Sequence, residues 1–183
     1  GHAWRARACT VLTGIGTVLE DDPQLNVRLP DVLRQPRLVI VDSRLETPPG
    51  ARLWGAAQRE VLIYTSDADT SRAAPLRERG AQVVALPNPH GKVDLAAMLR
   101  DLAAREVNEV HVEAGHKLNG SLLREGLVDE LLLYQAPRLL GEGAGIAALG
   151  PFTAVEQALA LEWTEIVRVG PDLRLRARLG HQR

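Results

Sequence analysis

Thr13-Gly-Ile-Gly-Thr-Val-Leu-Glu-Asp-Asp-Pro-Gln-Leu-Asn-Val-Arg28 follows directly on Cys9-Thr-Val-Leu12, a short run rich in β-forming residues. A strand that runs into Gly14 and Gly16 can turn sharply and bring its backbone close to a ligand, because neither glycine carries a Cβ. Thr17 adds a small hydroxyl. Asp21 and Asp22 stand before Pro23, whose ring disfavours the helical region for Asp22 and so ends any short helix begun near Gly16. Arg28 closes the stretch as a cation for an anionic group. A strand, a glycine turn, paired carboxylates and an arginine, in that order, make the layout of a ligand site at a strand's end.

Outward from this stretch, apolar runs recur at 37–42, 60–65, 82–86 and 108–113. Short continuous runs of this kind suit strands buried on both faces of a mostly parallel sheet. Residues 71–80 and 94–105 read as intervening helices, each opening on a capping residue, the second with Leu95, Met98, Leu99 and Leu102 at helical spacing. Residues 117–125 read as a further short helix that ends at Gly126. Residues 130–136 read as a strand, 154–160 as a helix, and 161–169 with 173–179 as an antiparallel hairpin around Gly170-Pro171-Asp172. The expected class is α/β: a mostly parallel, mixed sheet flanked by helices, with a C-terminal antiparallel hairpin. Arg174, Arg176 and Arg178 alternate along the last strand and read as a solvated face.

The 183 residues, 45% hydrophobic, suffice for one core and fall short of two full domains, so a single domain over 1–183 is expected. Charge is balanced, 22 Lys and Arg against 23 Asp and Glu, and offers no basic field for nucleic acid or an anionic membrane. An anionic ligand must then be met by locally placed arginines. The one cysteine, Cys9, excludes an internal disulfide or a cysteine metal cage and reads as a core residue. No stretch approaches the about 20 apolar residues of a membrane span, and no signal-peptide pattern opens the chain. A soluble, cytoplasmic protein is expected.

Glu113-Ala114-Gly115 ends one of the strands and leads into a helix, whose unpaired N–H groups and dipole favour an anion such as a cofactor pyrophosphate. Gly115 lets a phosphate come close, although an ordinary strand-to-helix turn uses the same residues. Asp42-Ser43-Arg44 lies at the corresponding end of another strand, where open α/β sheets collect ligands. Arg44 and Thr65-Ser66 are candidates for an adenosine 2′-phosphate, and Arg44 is equally a plain surface arginine. His111 and His116 flank Glu113 without a third ligand at sensible spacing, so no metal site is expected. No Ser-His-Asp or Cys-His arrangement is credible, which leaves the chemistry to a cofactor.

In this order, residues 13–28, Asp42-Ser43, Val112-Glu-Ala-Gly-His-Lys-Leu-Asn-Gly-Ser121, Leu127-Val-Asp-Glu-Leu131, Ala136-Pro-Arg-Leu-Leu-Gly141 and Val169-Gly-Pro-Asp172 resemble the reductase domain of the bifunctional riboflavin-biosynthesis deaminase/reductase. That domain is similar in fold to dihydrofolate reductase. The resemblance implies NADPH as cofactor, contacted by Thr17, Asp21, Ser43 and the run Gly115, His116, Lys117, Leu118, Asn119, Gly120 and Ser121. It also implies a phosphoribosylaminopyrimidine substrate contacted by Arg5, Leu25, Arg28 and Glu113, with the two arginines suited to its phosphate.

Asp21 and Glu113 are then the catalytic candidates. The implied reaction is the reduction of 5-amino-6-(5-phosphoribosylamino)uracil: hydride passes from the nicotinamide to C1′ of the ribosyl group, through a ring-opened imine, while the protein aligns the pair and supplies a proton. Alternatives are a related diaminopyrimidine ribosylamine reductase and a catalytically silent binding or dimerisation module. A homodimer is expected. The chain begins almost on its first motif, so the resemblance implies a fragment that lacks an N-terminal strand and an upstream deaminase domain, with Gly1-His2 as a cloning remnant.

Overall fold

The computed structural model describes residues 1–180 apart from Asp31 and Ala68. The chain divides into two compact units, 1–118 and 119–183. In the first, β1 (Thr10–Gly14), β2 (Arg37–Val41), β3 (Val61–Thr65), β4 (Ala81–Ala85) and β5 (Val110–Val112) form one sheet. Its order is β4-β3-β2-β1-β5 and every pairing is parallel. The continuous apolar runs are strands because both faces of the central ones are covered: Leu38, Val39, Ile40, Leu62, Ile63 and Tyr64 have no exposure. Each side chain of that size contributes about 1.5–3 kcal/mol on leaving water, so β2 and β3 anchor the sheet while β5 is only half-buried.

The helices of this unit follow their caps. α1 (His2–Arg7) precedes the sheet, and α2 (Ile15–Asp21) ends where Pro23 requires, with Asp22 in the left-handed region at φ 40°. A 3₁₀ turn covers Arg52–Gly55. α3 (Thr70–Glu78) is capped by the Asp69 carboxylate, which accepts from Ser71 N–H, and α4 (Leu95–Ala104) by Asp94, which accepts from Ala97 N–H. α4 buries Leu95, Met98 and Leu102 as its spacing demands. Cys9 corrects the reading given above: it is half-buried and lines an open cavity of about 380 Å³ with Arg34, Arg37, Glu60 and Arg105.

α5 (His116–Arg124) spans the division between the units. In the second unit, β6 (Glu130–Gln135), β7 (Leu161–Val169) and β8 (Asp172–Leu179) form an antiparallel sheet in the order β6-β8-β7. The α/β class holds, and the parallel and antiparallel pairings fall into separate sheets. The helix expected at 154–160 is a single 3₁₀ turn, Val155–Gln157, because so short an alanine-containing segment cannot repay helix nucleation alone. The arginine row on β8 is also corrected. Arg174 pairs with Glu165 at 2.7 Å and Arg176 with Glu130 at 2.8 Å, both half-buried, so only Arg178 is solvated as expected.

Candidate functional site

The chain lays down β1, β2, β3 and β4 successively in one direction and then places β5 on the far side of β1. The winding therefore reverses between β1 and β5. Loops leaving two such strands diverge to opposite faces of the sheet, and the crevice they open beyond the carboxyl ends is where open α/β sheets bind ligands. The segments that flank it here are Gly14–Thr17, after β1, and Glu113–Gly115, after β5.

Local bonds lock these segments together. Thr13 Oγ1 donates to the Glu113 carbonyl at 2.7 Å, and Glu113 N–H donates to the Leu12 carbonyl at 2.8 Å. A Cβ on Gly14 would stand 3.3 Å from Leu118 Cδ2, so the glycine admits the first turn of α5 against the end of β1. A Cβ on Gly115 would meet only Thr17 Oγ1, at 3.8 Å, an ordinary contact. The chain itself thus leaves room in front of Gly115. Thr17 and Asp21 stand four residues apart on α2 and share a face. Asp21 is exposed at the end of that helix, whereas Asp22 turns away to accept Arg52 N–H at 2.8 Å.

Glu113 stands against two basic side chains. Arg5 grips it bidentately, Nε to Oε1 at 2.5 Å and Nη2 to Oε2 at 2.6 Å, and His111 Nε2 lies 3.4 Å from Oε1. Burial alone would push the carboxyl up, but the hydrogen bonds and positive charge of Arg5, with His111, pull it down to about 2. Glu113 is therefore ionised at neutral pH and accepts hydrogen bonds. A carboxylate held that low suits an accepting contact better than proton donation.

Arg5 and Arg28 have different partners. Arg5 gives its fork to Glu113 and a further N–H to the Asn26 carbonyl at 3.0 Å, so its first duty is to the glutamate. Arg28 is exposed and donates to Asn26 Oδ1 at 2.9 Å and Gln24 Oε1 at 3.2 Å. Both thus converge on Asn26. Leu25 is buried and left-handed at φ 48°. Gln35 brackets Val27 by two reciprocal bonds, accepting its N–H and donating to its carbonyl.

At the end of β2, the fully buried Asp42 organises a loop. Its Oδ1 accepts from Glu46 N–H at 3.0 Å, and its Oδ2 from Thr47 N–H at 2.8 Å and Thr47 Oγ1 at 2.7 Å. The Ser43 carbonyl in that loop accepts from Ser66 Oγ at 2.8 Å, which already occupies the Ser66 hydroxyl proton. Arg44 is exposed.

Asn119, Gly120 and Ser121 belong to the second unit and have partners there. Asn119 Nδ2 donates to the Ile146 carbonyl at 2.9 Å, and Ser121 Oγ accepts from Arg124 Nη2 at 3.1 Å. A Cβ on Gly120 would fall 2.3 Å from the Ala148 carbonyl oxygen, so packing within this unit explains that glycine. Lys117 is exposed and His116 half-buried.

Sequence reasoning passed over Arg59. Its Nη1 donates to the carbonyls of Gln24 at 2.9 Å and Leu25 at 3.0 Å, and its Nη2 donates to that of Leu53. Nothing in Gln58-Arg59-Glu60 signals Gln24 and Leu25, because they lie 35 and 34 positions away in the chain.

The family model for the RibD C-terminal domain matches residues 1–175. Riboflavin biosynthesis protein RibD of Aquifex aeolicus is 32% identical over 94% of this chain and 47% of its own length, so the chain spans about half the length of that relative. The 5-amino-6-(5-phosphoribosylamino)uracil reductase of Buchnera aphidicola is 27% identical over 94% of the chain and 87% of its own length. The 2,5-diamino-6-ribosylamino-4(3H)-pyrimidinone 5′-phosphate reductase of Methanothermobacter thermautotrophicus is 33% identical over 94% and 80%. Among solved structures, Acinetobacter baumannii RibD, form 1, matches with a TM-score of 0.83 at 30% identity, over 98% of this chain and 49% of that one. A parallel sheet with its reversal between β1 and β5, the ordered motifs along its carboxyl edge and these matches lead to one assignment: the chain belongs to the RibD C-terminal domain family.

Proposed function

We propose that the chain is an NADPH-dependent reductase of 5-amino-6-(5-phosphoribosylamino)uracil, with its reaction centre at the reversal between β1 and β5. The observation that carries this reading is the pairing of Arg5 with an ionised Glu113 beside the open face of Gly115. The residues fit the cofactor in one testable respect: the room in front of Gly115 is space a side chain would take from a phosphate. Thr17, Asp21, Ser43 and residues 115–118 would hold it. When bound, it would supply the hydride.

The chain's own residues do the rest. Glu113 accepts N–H donors of the pyrimidine and fixes that ring. Leu25 lies under it, and Arg28 takes the phosphate, with Arg5 holding Glu113 in place. Asp21 is the carboxyl left to handle the proton, since Glu113 is committed to its ionised form. Alignment of donor and acceptor contributes most of the acceleration, which is why so few reactive side chains suffice.

This reading takes both units as one reductase domain, for which the family match across 1–175 speaks. It further takes the enzyme to be a cytoplasmic homodimer. Among the described residues no helix is long and apolar enough to cross a membrane. The diaminopyrimidinone phosphate is the second substrate candidate, because a relative named for it is 33% identical. Loss of NADPH absorbance on adding each substrate tests the proposal. Turnover of the uracil compound in preference to the diaminopyrimidinone is expected, and turnover of neither by an NADPH-binding protein would overturn it.

A further inference from the structure

Arg59 is the cation of the first unit whose position is hardest to explain by folding alone. It lies between the 3₁₀ turn at Arg52–Gly55 and β3, and its donors go to three main-chain carbonyls, those of Gln24, Leu25 and Leu53. Among the described residues no carboxylate pairs with it, and its buried Nε has no hydrogen-bond partner. Burial, with the charge of Arg5 nearby, lowers it to about 10. A neutral amide, with two N–H groups, could serve two of these carbonyls without the cost of an unpaired buried charge.

What Arg59 holds is the segment on which the substrate contacts sit. Leu25 is left-handed, a conformation that is unfavourable for a non-glycine residue and persists only where neighbours impose it. Arg59 grips the carbonyls on both sides of that residue's N–Cα–C unit, while Arg5 and Arg28 reach Asn26 one position further on. Three guanidinium groups therefore surround residues 24–28, and the one carboxylate among their partners, Glu113, is spent on Arg5. The excess positive charge fits an anion.

We propose that Arg59 is a positioning residue, which holds residues 24–28 in their ligand-ready turn and whose uncompensated charge favours a sugar phosphomonoester bound there. The proposal rests on the substrate assignment given above and deepens it. It differs from a purely structural staple in one respect: loss of the charge should act on phosphate preference and on substrate KM before it acts on cofactor affinity.

Arg59→Gln keeps an amide donor and removes the charge, whereas Arg59→Lys keeps the charge and loses the fork. Arg59→Gln should raise KM for the phosphorylated substrate about ten-fold, leave kcat and NADPH affinity within about two-fold, and erase the preference over the dephosphorylated compound. Arg59→Lys should retain that preference while amide hydrogen exchange at 25–28 quickens; it also carries the test should Arg59→Gln fail to fold. An Arg59→Gln protein with unchanged KM and phosphate preference, or one losing NADPH and substrate affinity equally, would overturn the proposal. Ribose 5-phosphate separates this from the reading beneath it. If the wild-type protein shows no NADPH-dependent turnover, yet ribose 5-phosphate slows exchange at 25–28 in wild type and not in Arg59→Gln, the positioning role stands and the substrate assignment falls. No slowing in wild type removes the anion role outright, as would equal slowing by inorganic phosphate alone for the sugar.

Discussion

The two ends of the five-stranded sheet each carry an arginine–glutamate pair, and the pairs do different things. At the amino end, Arg37 Nε meets Glu60 Oε2 at 2.6 Å beside the cavity that Cys9, Arg34 and Arg105 also line. Its neighbours are already satisfied: Arg105 pairs with Asp101, and Arg34 donates to the Ala8 carbonyl. At the carboxyl end, Arg5 and Glu113 sit in a drier place, with side chains 15% and 25% exposed against 22% and 37% for Arg37 and Glu60. Around them are an open-faced glycine, a threonine, an exposed aspartate and two further arginines. Pair geometry alone therefore does not mark a site. The carboxyl end is distinguished by the reversal of winding, which spreads the loops apart.

The comparison can be broken by mutation. The largest effect is expected at Asp21, where Asp21→Asn keeps the size and removes the proton-handling group. Steady-state kinetics should show kcat down about 100-fold, a larger loss than that in NADPH affinity. An unchanged kcat would return Asp21 to the role of a helix-terminal surface residue. Glu113→Gln comes next: KM for the substrate should rise about 30-fold through loss of a charge-assisted contact, while Glu60→Gln at the other end leaves turnover within about two-fold. Equal effects at the two ends would erase the distinction. Arg28→Ala should weaken the phosphorylated substrate about ten-fold without touching NADPH, and a mutant that keeps full phosphate preference would make Arg28 a surface residue.

A separate test reads stability. The folded Glu113 carboxyl sits at about 2, below its ordinary 4.5, so its contribution is fully present above the ordinary value and drains away as pH falls towards 2. Denaturant unfolding across that window should show wild type losing up to about 3 kcal/mol more than Glu113→Gln. Parallel acid profiles for the two proteins would show that Arg5 does not hold Glu113 ionised.

Much of this was readable from the chain. Continuous apolar runs named the five parallel strands, and Asp94 and Pro23 marked helix boundaries, because these signals act over a few residues; the cap of α3 is Asp69, two residues before the start read at Ser71. Residues 13–28 and 113–115 could be set at strand ends for the same reason. What could not be read depends on partners far apart in sequence. Arg5 and Glu113 are 108 positions apart, so the commitment of Arg5 to the glutamate had no local sign. Arg59 reaches Gln24 across 35 positions. α1 was missed because His2–Arg7 holds only Trp4 as a large apolar residue, and the division of strands into two sheets depends on hydrogen-bond pairings that hydropathy does not encode. Gly120 read as a ligand glycine for want of any trace of Ala148 beside it.

The central claim is that ligand binds where the winding reverses, in the room left in front of Gly115. Titration calorimetry of NADPH against the wild-type and Gly115→Val proteins tests it most directly, because a Cβ there meets no closer protein atom than Thr17 Oγ1 at 3.8 Å and the fold should tolerate it. We expect binding by wild type and its loss in Gly115→Val, with an unchanged thermal midpoint. Undiminished NADPH affinity in a folded Gly115→Val protein would contradict the account.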